Sequence, residues 1–541
     1  MNNIFPATHG FFVKLLLIFL LGTFGLALLR PLTISQGKDK EQPKKVTTSD
    51  KPALEDNADL GRRIDSIIDE SELREARWGI YVISISDGST IYQRNGDKLF
   101  TPASNMKIYT TGVALDLLGA DYRWRTSVYA NAKPAGGGRI QGDLILYGRG
   151  APDLVANSKD EDHGSLAKLA DNLYERGVRS ISGNVIGDES YFRGDLLGDG
   201  WQWTDLQWYF GAEASALSVN GNEVDVNFVP SNKAGDSSAV RTSDTENYVT
   251  VQNRMAATDQ SGASTVGVHR GLSDNNVEVW GEFAPGSKGF GARLSVYKPA
   301  LWAAKLFVRA LKARGIQVEG QTLSRDSRVP QTNRFDPARS VELAFVDSQP
   351  LGEIAKKTNK ESNNLYAELI LRTLGRERGE SSGLTPAIGR ERGDDEAGLA
   401  VVRAWLGGAG IATSRLALHD GSGLSRLDLV TPETSARLLV SLAQTAAGSV
   451  FKESLPIAGR DGTLSERLKS VAGNVFAKTG SLTYDNSLSG YVTTANGRTF
   501  TFSIMCNDET ERADSHHVID QIVALLVAFP NLPTENRENS R

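Results

Sequence analysis

The chain has 541 residues, 40% of them hydrophobic and 23% charged, with a formal net charge of −5. That length exceeds one ordinary hydrophobic core, and the composition is that of a globular body of two or more domains, not a disordered or multi-span chain. The acidic balance without a basic stripe argues against a nucleic-acid partner, and six scattered histidines without HExxH argue against a zinc enzyme. With Cys506 as the single cysteine, no intramolecular disulfide can form.

From the N-terminus, Leu15–Leu29 is a nearly unbroken apolar run behind Lys14. A cleaved signal peptide and a retained membrane anchor both fit it. Residues 1–35 are assigned to this leader, which directs the chain to the periplasm or another extracytoplasmic part of the envelope. No cysteine follows closely, so a lipoprotein is excluded. Residues 36–57, rich in Lys, Glu, Asp and Thr with Pro43 and Pro52, read as a flexible linker.

Leu60–Ile68 has helical spacing. Gly79–Ser86 reads as a buried strand, Asp87-Gly88 as a hairpin turn and Thr90–Gln93 as the return strand. After Pro102, Ser104–Leu118 carries apolar residues at helical intervals and stops at Gly119. Ser104 thus stands at a helix N-terminus, where free amides and the dipole favour developing negative charge. From Arg123 to Pro337 the texture changes to Gly-rich strands and turns. A helix–Gly–strand unit occurs twice there: Leu166–Arg176, Gly177, Val178–Ser182, Gly183, then Ala300–Arg314, Gly315, Ile316–Glu319, Gly320. Such internal similarity suggests one folded insert. Helices follow over Leu351–Thr358, Asn364–Leu374 and Ala400–Leu406. Val475–Ala477, Leu488–Thr494 and Phe500–Met505 read as strands, the last two around Asn496-Gly497, and a final helix covers Ser515–Phe529 with His516-His517 in its first turn. The fold class is α+β, an antiparallel sheet flanked by helices and interrupted by a β-rich insert.

Three short stretches carry chemistry: Ser104-Asn-Met-Lys107, Ser362-Asn-Asn364 and Lys478-Thr-Gly480. Ser-x-x-Lys alone is common by chance. Here it also occurs at Ser35, where the leader passes into the linker; at Ser165, an N-cap position; at Ser295, in a strand that would point Ser and Lys apart; and at Ser449, which starts no long apolar helix. Only Ser104 follows strands and opens a long apolar helix, which puts its hydroxyl and the Lys107 amine on one face. Serine is a poor nucleophile without an adjacent base, and a lysine serves once burial or a neighbouring cation lowers its pKa. Lys478 is a candidate for that cation. The Ser104 N–H and one from the Lys-Thr-Gly strand would receive the oxyanion, and Gly480 would let a ligand approach the backbone. Ser362 also reads as a helix cap, and Lys478-Thr-Gly480 as a strand end. Trp201, Trp203, Trp208 and Tyr209 read more readily as packing than as a sugar platform. No GxxxxGK[ST] or GxSxG element is present.

With TPASNMKIYTT at Thr101–Thr111, SGNVIGDESYF at Ser182–Phe192, YFGAEASALSV at Tyr209–Val219, DGSGLSR at Asp420–Arg426 and AKTGSLTYDNSLSGYV at Ala477–Val492, the chain resembles the class C low-molecular-mass penicillin-binding proteins, a D-alanyl-D-alanine carboxypeptidase/endopeptidase family. The resemblance runs from about Ala58 to Phe529. It implies a transpeptidase/β-lactamase-like catalytic domain over 58–124 and 338–530, inserted domains II and III over 125–337, and a tail at 531–541. Such an insert explains the long gap between Ser104 and Ser362. It further implies Ser104 as the acylated nucleophile, Lys107 as its base, Ser362 as the proton relay to the leaving amine and Asn364 as a ligand of the substrate peptide. Lys478 and Thr479 would hold the terminal carboxylate and Ser481 give the second oxyanion amide, while Arg426 lines the pocket or forms a structural salt bridge. Peptidoglycan stem peptides are the implied substrate and β-lactams the covalent inhibitors, with no cofactor or metal. A β-lactamase or esterase of the same fold and a catalytically silent wall-binding protein are the rivals. Where the family tends to have Gly-Asp-Pro, this chain has Gly150-Ala151-Pro152-Asp153, which puts insert-based substrate contacts in question.

Overall fold

In the computed structural model the residues described are 50–157, 164–259, 264–328, 335–379, 393–509 and 514–530. The apolar leader and the tail at 531–541 lie outside them. Among the described residues no helix is long and apolar enough to cross a membrane. The described residues from Pro52 to Pro530 form one compact unit.

The first element is the helix Asp50–Asp69, which begins inside the stretch expected to be linker. Pro52 does not interrupt it, because in the first turn its missing N–H has no helical partner to lose. Leu60, Ile64 and Ile68 are fully buried at helical spacing. They pack with Val518, Ile519 and Ile522 of the last helix, Ser515–Ala528, on Ile80, Val82, Phe502 and Ile504. Asp514 caps that last helix by accepting from the His516 N–H at 2.9 Å.

Beneath them lies a five-stranded sheet in the order Val475–Leu482, Asp485–Thr493, Thr499–Asn507, Arg77–Ser84, Thr90–Arg94, every neighbouring pair antiparallel. Helices cover both faces, so Asp485–Thr493 is buried nearly throughout and shows no period-two alternation. On the opposite face sits the helix Pro432–Ala443, tied to the sheet where the Tyr491 hydroxyl donates to the Leu439 carbonyl at 2.8 Å. Further in runs the helix Met106–Leu118, buried from Met106 to Leu115. Apolar neighbours on all sides explain its lack of amphipathicity. Gly112 admits Leu442, whose Cδ1 would lie 2.4 Å from an added Cβ.

The insert carries a second five-stranded sheet, ordered Thr322–Arg325, Val185–Asp188, Leu144–Tyr147, Arg125–Ala130, Val341–Asp347. Its last strand pairs with Arg125–Ala130, so the inserted body continues past the expected boundary at residue 337. The strand order explains this: the chain must return beside the strand on which it left. The sequence repeat is real in space. Its helices are Leu166–Glu175 and Pro299–Ala313, and its strands pair in parallel, Ser180–Ile181 with Gln317–Val318 and Val185–Asp188 with Thr322–Arg325. Both helices end on a left-handed glycine, Gly177 (φ 86°) and Gly315 (φ 78°). A three-stranded sheet of Ala239–Thr242, Glu223–Val229 and Phe290–Ser295 brings the insert to the rim of the cleft described next.

Candidate active site

Ser104 sits in a short 3-10 turn, Ala103–Asn105, that runs directly into the helix Met106–Leu118. Ala103 is held at φ 48°, a left-handed conformation that a non-glycine residue adopts only when its surroundings over-determine it. Those surroundings are visible. The Asn105 amide donates to Ser487 Oγ, which donates to the Pro102 carbonyl at 2.7 Å. From the other side Gly423 (φ 79°) lies so close that an added Cβ would sit 1.8 Å from the Ala103 carbonyl oxygen.

Lys107 is fully buried, and its Nζ contacts Ser104 Oγ at 2.9 Å, Asn364 Oδ1 at 2.7 Å and the Ser422 carbonyl at 2.7 Å. The last two groups only accept. A neutral amine has two N–H groups and one lone pair, so those two acceptors take both hydrogens and the lone pair faces Ser104. That is the geometry of a general base on a serine. Burial lowers the Lys107 pKa from 10.5 to about 7, against the opposing charges of Asp420 and Glu368. Of the two expected causes, burial and a neighbouring cation, burial is therefore the one that readies this lysine. Lys478 is itself pushed well below the usual lysine range, first by burial and then by the charge of Lys107.

Ser362, at φ 58°, lies between the helices Leu351–Lys360 and Asn364–Arg378. It is not the helix cap; Asn363 is, accepting from the Tyr366 N–H at 3.0 Å. Ser362 Oγ instead receives a hydrogen bond from Lys478 Nζ at 2.9 Å. Asn364 gives both ends of its amide to the protein, Oδ1 to Lys107 and Nδ2 to the Phe210 carbonyl of the insert at 3.0 Å.

A cleft of about 520 Å³ opens over these groups, lined by Ser104, Ser362, Asn364, Ser481 and Arg426, with Asp205, Tyr209, Glu223 and Arg293 of the insert on the facing wall. The structure brings all the expected residues together but not all to the surface. Lys478 is buried behind Ser362 and also donates to the Thr479 carbonyl at 2.7 Å. Thr479 Oγ1 bonds Thr463 Oγ1 at 2.7 Å, and neither Lys478, Thr479 nor Gly480 lines the cleft. A Cβ on Gly480 would come 2.3 Å from Ser487 Oγ and 2.6 Å from the Pro102 carbonyl. The glycine thus lets the strand lie against the nucleophile turn, where ligand approach had been the expectation. Ser481 Oγ donates to Asn486 Oδ1 at 2.6 Å. Arg426 answers to both of its readings: it lines the cleft and pairs with Asp485 at 3.0 Å.

Sequence reasoning missed the buried acids around the base. Glu368 accepts from the Gly421 N–H at 2.9 Å, and burial together with Asp420 raises its pKa to about 8. Asp428 is raised well above the usual carboxylate range by the same two causes. Glu368 follows Asn364 by one helical turn, so a charge inside an apolar helix face was the available signal. Among the described residues no group of three or more His, Cys, Asp or Glu side chains is placed to hold a metal.

A helix-borne serine with a neutral buried lysine against it, set beside an antiparallel sheet, defines a serine acyl-transfer enzyme. The chain belongs to the D-Ala-D-Ala carboxypeptidase 3 (S13) family, whose model matches residues 60–529. It is 33% identical over 474 residues to a D-alanyl-D-alanine carboxypeptidase of an Actinomadura species, covering 84% of this chain and 83% of the relative. It is 29% identical to the D-alanyl-D-alanine carboxypeptidase DacB of Haemophilus influenzae, over 78% of this chain and 84% of that one. The crystal structure of penicillin binding protein 4 (dacB) from Haemophilus influenzae superposes with a TM-score of 0.72 at 26% identity, covering 87% of this chain and 99% of that one.

Proposed function

We propose that this chain is a serine-type D-alanyl-D-alanine carboxypeptidase and endopeptidase, cutting the stem peptides and cross-links of peptidoglycan through an acyl-enzyme on Ser104. The observation that carries the mechanism is the 2.9 Å contact between Ser104 Oγ and a buried amine whose two hydrogens are engaged elsewhere. Lys107 takes the hydroxyl proton as Ser104 Oγ attacks the D-Ala carbonyl carbon. The oxyanion forms against the backbone N–H groups of Ser104 and Ser481. Ser362 passes a proton to the departing amine, and its bond from Lys478 fixes the hydroxyl for that transfer. Water then attacks the ester and regenerates Ser104. In this reading Lys478 acts on a substrate carboxylate through the Ser362 hydroxyl to which it is bonded, since the lysine itself is buried. Arg426 and the charged side chains of the insert wall meet the rest of the stem. β-Lactams react as substrate mimics at Ser104. The apolar leader exports the chain to the extracytoplasmic envelope, as a signal peptide or as an inner-membrane anchor.

Intact-protein mass spectrometry after exposure to a β-lactam tests this. The wild type is expected to gain one adduct mass that persists, and Ser104→Ala to gain none. An unmodified wild type would sink the assignment, and rapid loss of the adduct would favour a β-lactamase. A peptide ending in D-Ala-D-Ala and a cross-linked dimer, followed by amine release, then separate the two peptidase activities and expose a silent binder.

A further inference from the structure

The two groups that take the hydrogens of the Lys107 amine are each held from behind by one short segment of the insert. Asn364 Oδ1 is the first, and the Asn364 amide is fixed by the Phe210 carbonyl at 3.0 Å. The Ser422 carbonyl is the second, and it belongs to a loop folded around the carboxylate of Asp420. That carboxylate accepts from the backbone N–H groups of Ser422 (3.2 Å), Gly423 (2.6 Å) and Ser425 (2.8 Å), and from Ser422 Oγ (3.1 Å). Asp428 shares a side-chain hydrogen bond with it, and a further donor comes from the insert: Trp201 Nε1 reaches Asp420 Oδ2 at 2.9 Å. Around this bond the two segments are closely fitted. Asp199 Oδ2 meets His419 Nδ1 at 2.9 Å, and Gly200 (φ 81°) lies where an added Cβ would be 2.5 Å from Ser425 Oγ.

We propose that the inserted segment from Asp199 to Phe210 positions the general base, with Trp201 as its positioning residue. Trp201 holds Asp420, Asp420 holds the loop that presents the Ser422 carbonyl, and that carbonyl together with Asn364 orients the Lys107 lone pair toward Ser104. Trp201 also has an electrostatic effect. Its N–H partly neutralises the carboxylate that faces the base, and a hydrogen bond to a charged acceptor is a strong one. The groups facing Lys107 are Asp420 from the loop, Glu368 from the helix Asn364–Arg378 and Lys478 from the strand; Asp428 and Glu368 face Asp420, and Arg372 stands beyond Glu368. Of the side chains bonded to the Asp420 carboxylate, Trp201 is the one supplied by the insert.

This inference rests on the acyl-enzyme reading, and one experiment separates the two. The second-order rate of acylation by a chromogenic β-lactam is measured from about pH 5 to 9 for the full chain and three variants. Trp201→Phe keeps a large ring against Gly198 and removes the N–H. Asp420 then presents more negative charge, Lys107 keeps its proton to higher pH, and the rising limb moves upward by about half to one pH unit. Acylation on that limb falls about 3- to 10-fold, while the high-pH plateau recovers. Asp420→Asn removes the charge and moves the limb to lower pH. Trp203→Phe, which alters an indole that is 64% exposed on the same segment, leaves the profile unchanged. A wild type that is never acylated overturns the functional reading itself. An acylated wild type whose limb coincides with that of Trp201→Phe, or a shared direction for Trp201→Phe and Asp420→Asn, overturns the positioning role alone. Loss of packing would lower the plateau without moving the two limbs apart, so that result also counts against it. Each variant decides by the sign of its own shift, so failure of one to fold leaves the other sufficient.

Discussion

Replacing Lys107 by methionine separates what the lysine does for the reaction from what it does to the fold. The side chain is fully buried, and its pKa falls from 10.5 to about 7, chiefly through desolvation. That gap is worth ~5 kcal/mol between the two protonation states. Because the folded protein binds this proton more weakly than the unfolded chain does, the full penalty applies below about pH 7. Between about pH 7 and 10.5 the unfolded chain holds the extra proton, and stability contributed at this position rises by ~1.4 kcal/mol per pH unit. Methionine has similar length and no proton, so the difference in unfolding free energy between wild type and Lys107→Met isolates the slope. Urea unfolding followed by tryptophan fluorescence at pH 6, 7, 8 and 9 gives that difference. It should be flat from about pH 6 to 7 and then move in favour of the wild type at that slope. In parallel, wild-type acylation should rise about tenfold per pH unit below about 7 and level off above it, and Lys107→Met should not acylate measurably. A stability difference that stays constant from pH 6 to 9 would refute the reasoning, since it would mean the buried amine never loses its proton in this range.

Other perturbations probe the frame around the base. Glu368 is raised to about 8, so at neutral pH it is already protonated. Glu368→Gln should then change acylation less than about twofold at pH 7, and should speed it only where the native acid would ionise and hold the Lys107 proton; stopped-flow acylation at pH 7 and 9 checks both. Gly423→Ala forces a Cβ to within 1.8 Å of the Ala103 carbonyl from a left-handed backbone. It should lower stability by ~3 kcal/mol or more and acylation by at least ~100-fold, read by thermal unfolding and adduct formation. In the insert, burial lifts Glu189 from 4.5 to about 8. The folded state therefore keeps a proton that the unfolded chain loses, and stability at this position declines as pH rises from about 4.5 to 8. Glu189→Gln should raise the thermal midpoint at pH 8 and have little effect at pH 4.5.

What was legible in the sequence is what is local. Ser104 and Lys107 face each other because they are three apart on one helix, and the two β-hairpins around Asp87-Gly88 and Asn496-Gly497 announce their own turns. Val475–Ala477 read as a strand with Lys478-Thr-Gly480 as its end, and the structure carries the strand on through them to Leu482. Here they are buried against the nucleophile turn and Ser362, and that tertiary fact has no local signature. Glu, Lys and Asp before Leu60 suggested a linker, although Ala, Glu, Leu and Lys are also good helix formers once a neighbour gives the helix a face to bury. Glu368 and Asp420 were missed for a different reason. An acid in a sequence looks like a solvated surface group until the fold removes its water, and only then does it act on a lysine far along the chain.

The buried acids resolve an apparent contradiction in the base. A site that wants a neutral lysine should not surround it with acids, yet Asp420 favours the charged amine, and Glu368 does so once it ionises above neutral pH. Burial alone would depress Lys107 further and leave an amine too weak to accept the serine proton. The Asp420 charge opposes that, and the balance lies at about 7, where the neutral form is present at physiological pH and the proton is still accepted readily. As Ser104 gives up its proton, an ammonium appears inside the protein and the Asp420 carboxylate stands ready to balance it. Lys478 bears on the same balance. Its own pKa is driven down in part by the charge of Lys107, so two ammonium groups in this space oppose each other. A proton arriving on Lys107 during attack therefore makes Lys478 a better donor. That donor is bonded to Ser362 Oγ, so in the proposed mechanism the step that creates the charge also favours passing a proton on to the leaving amine.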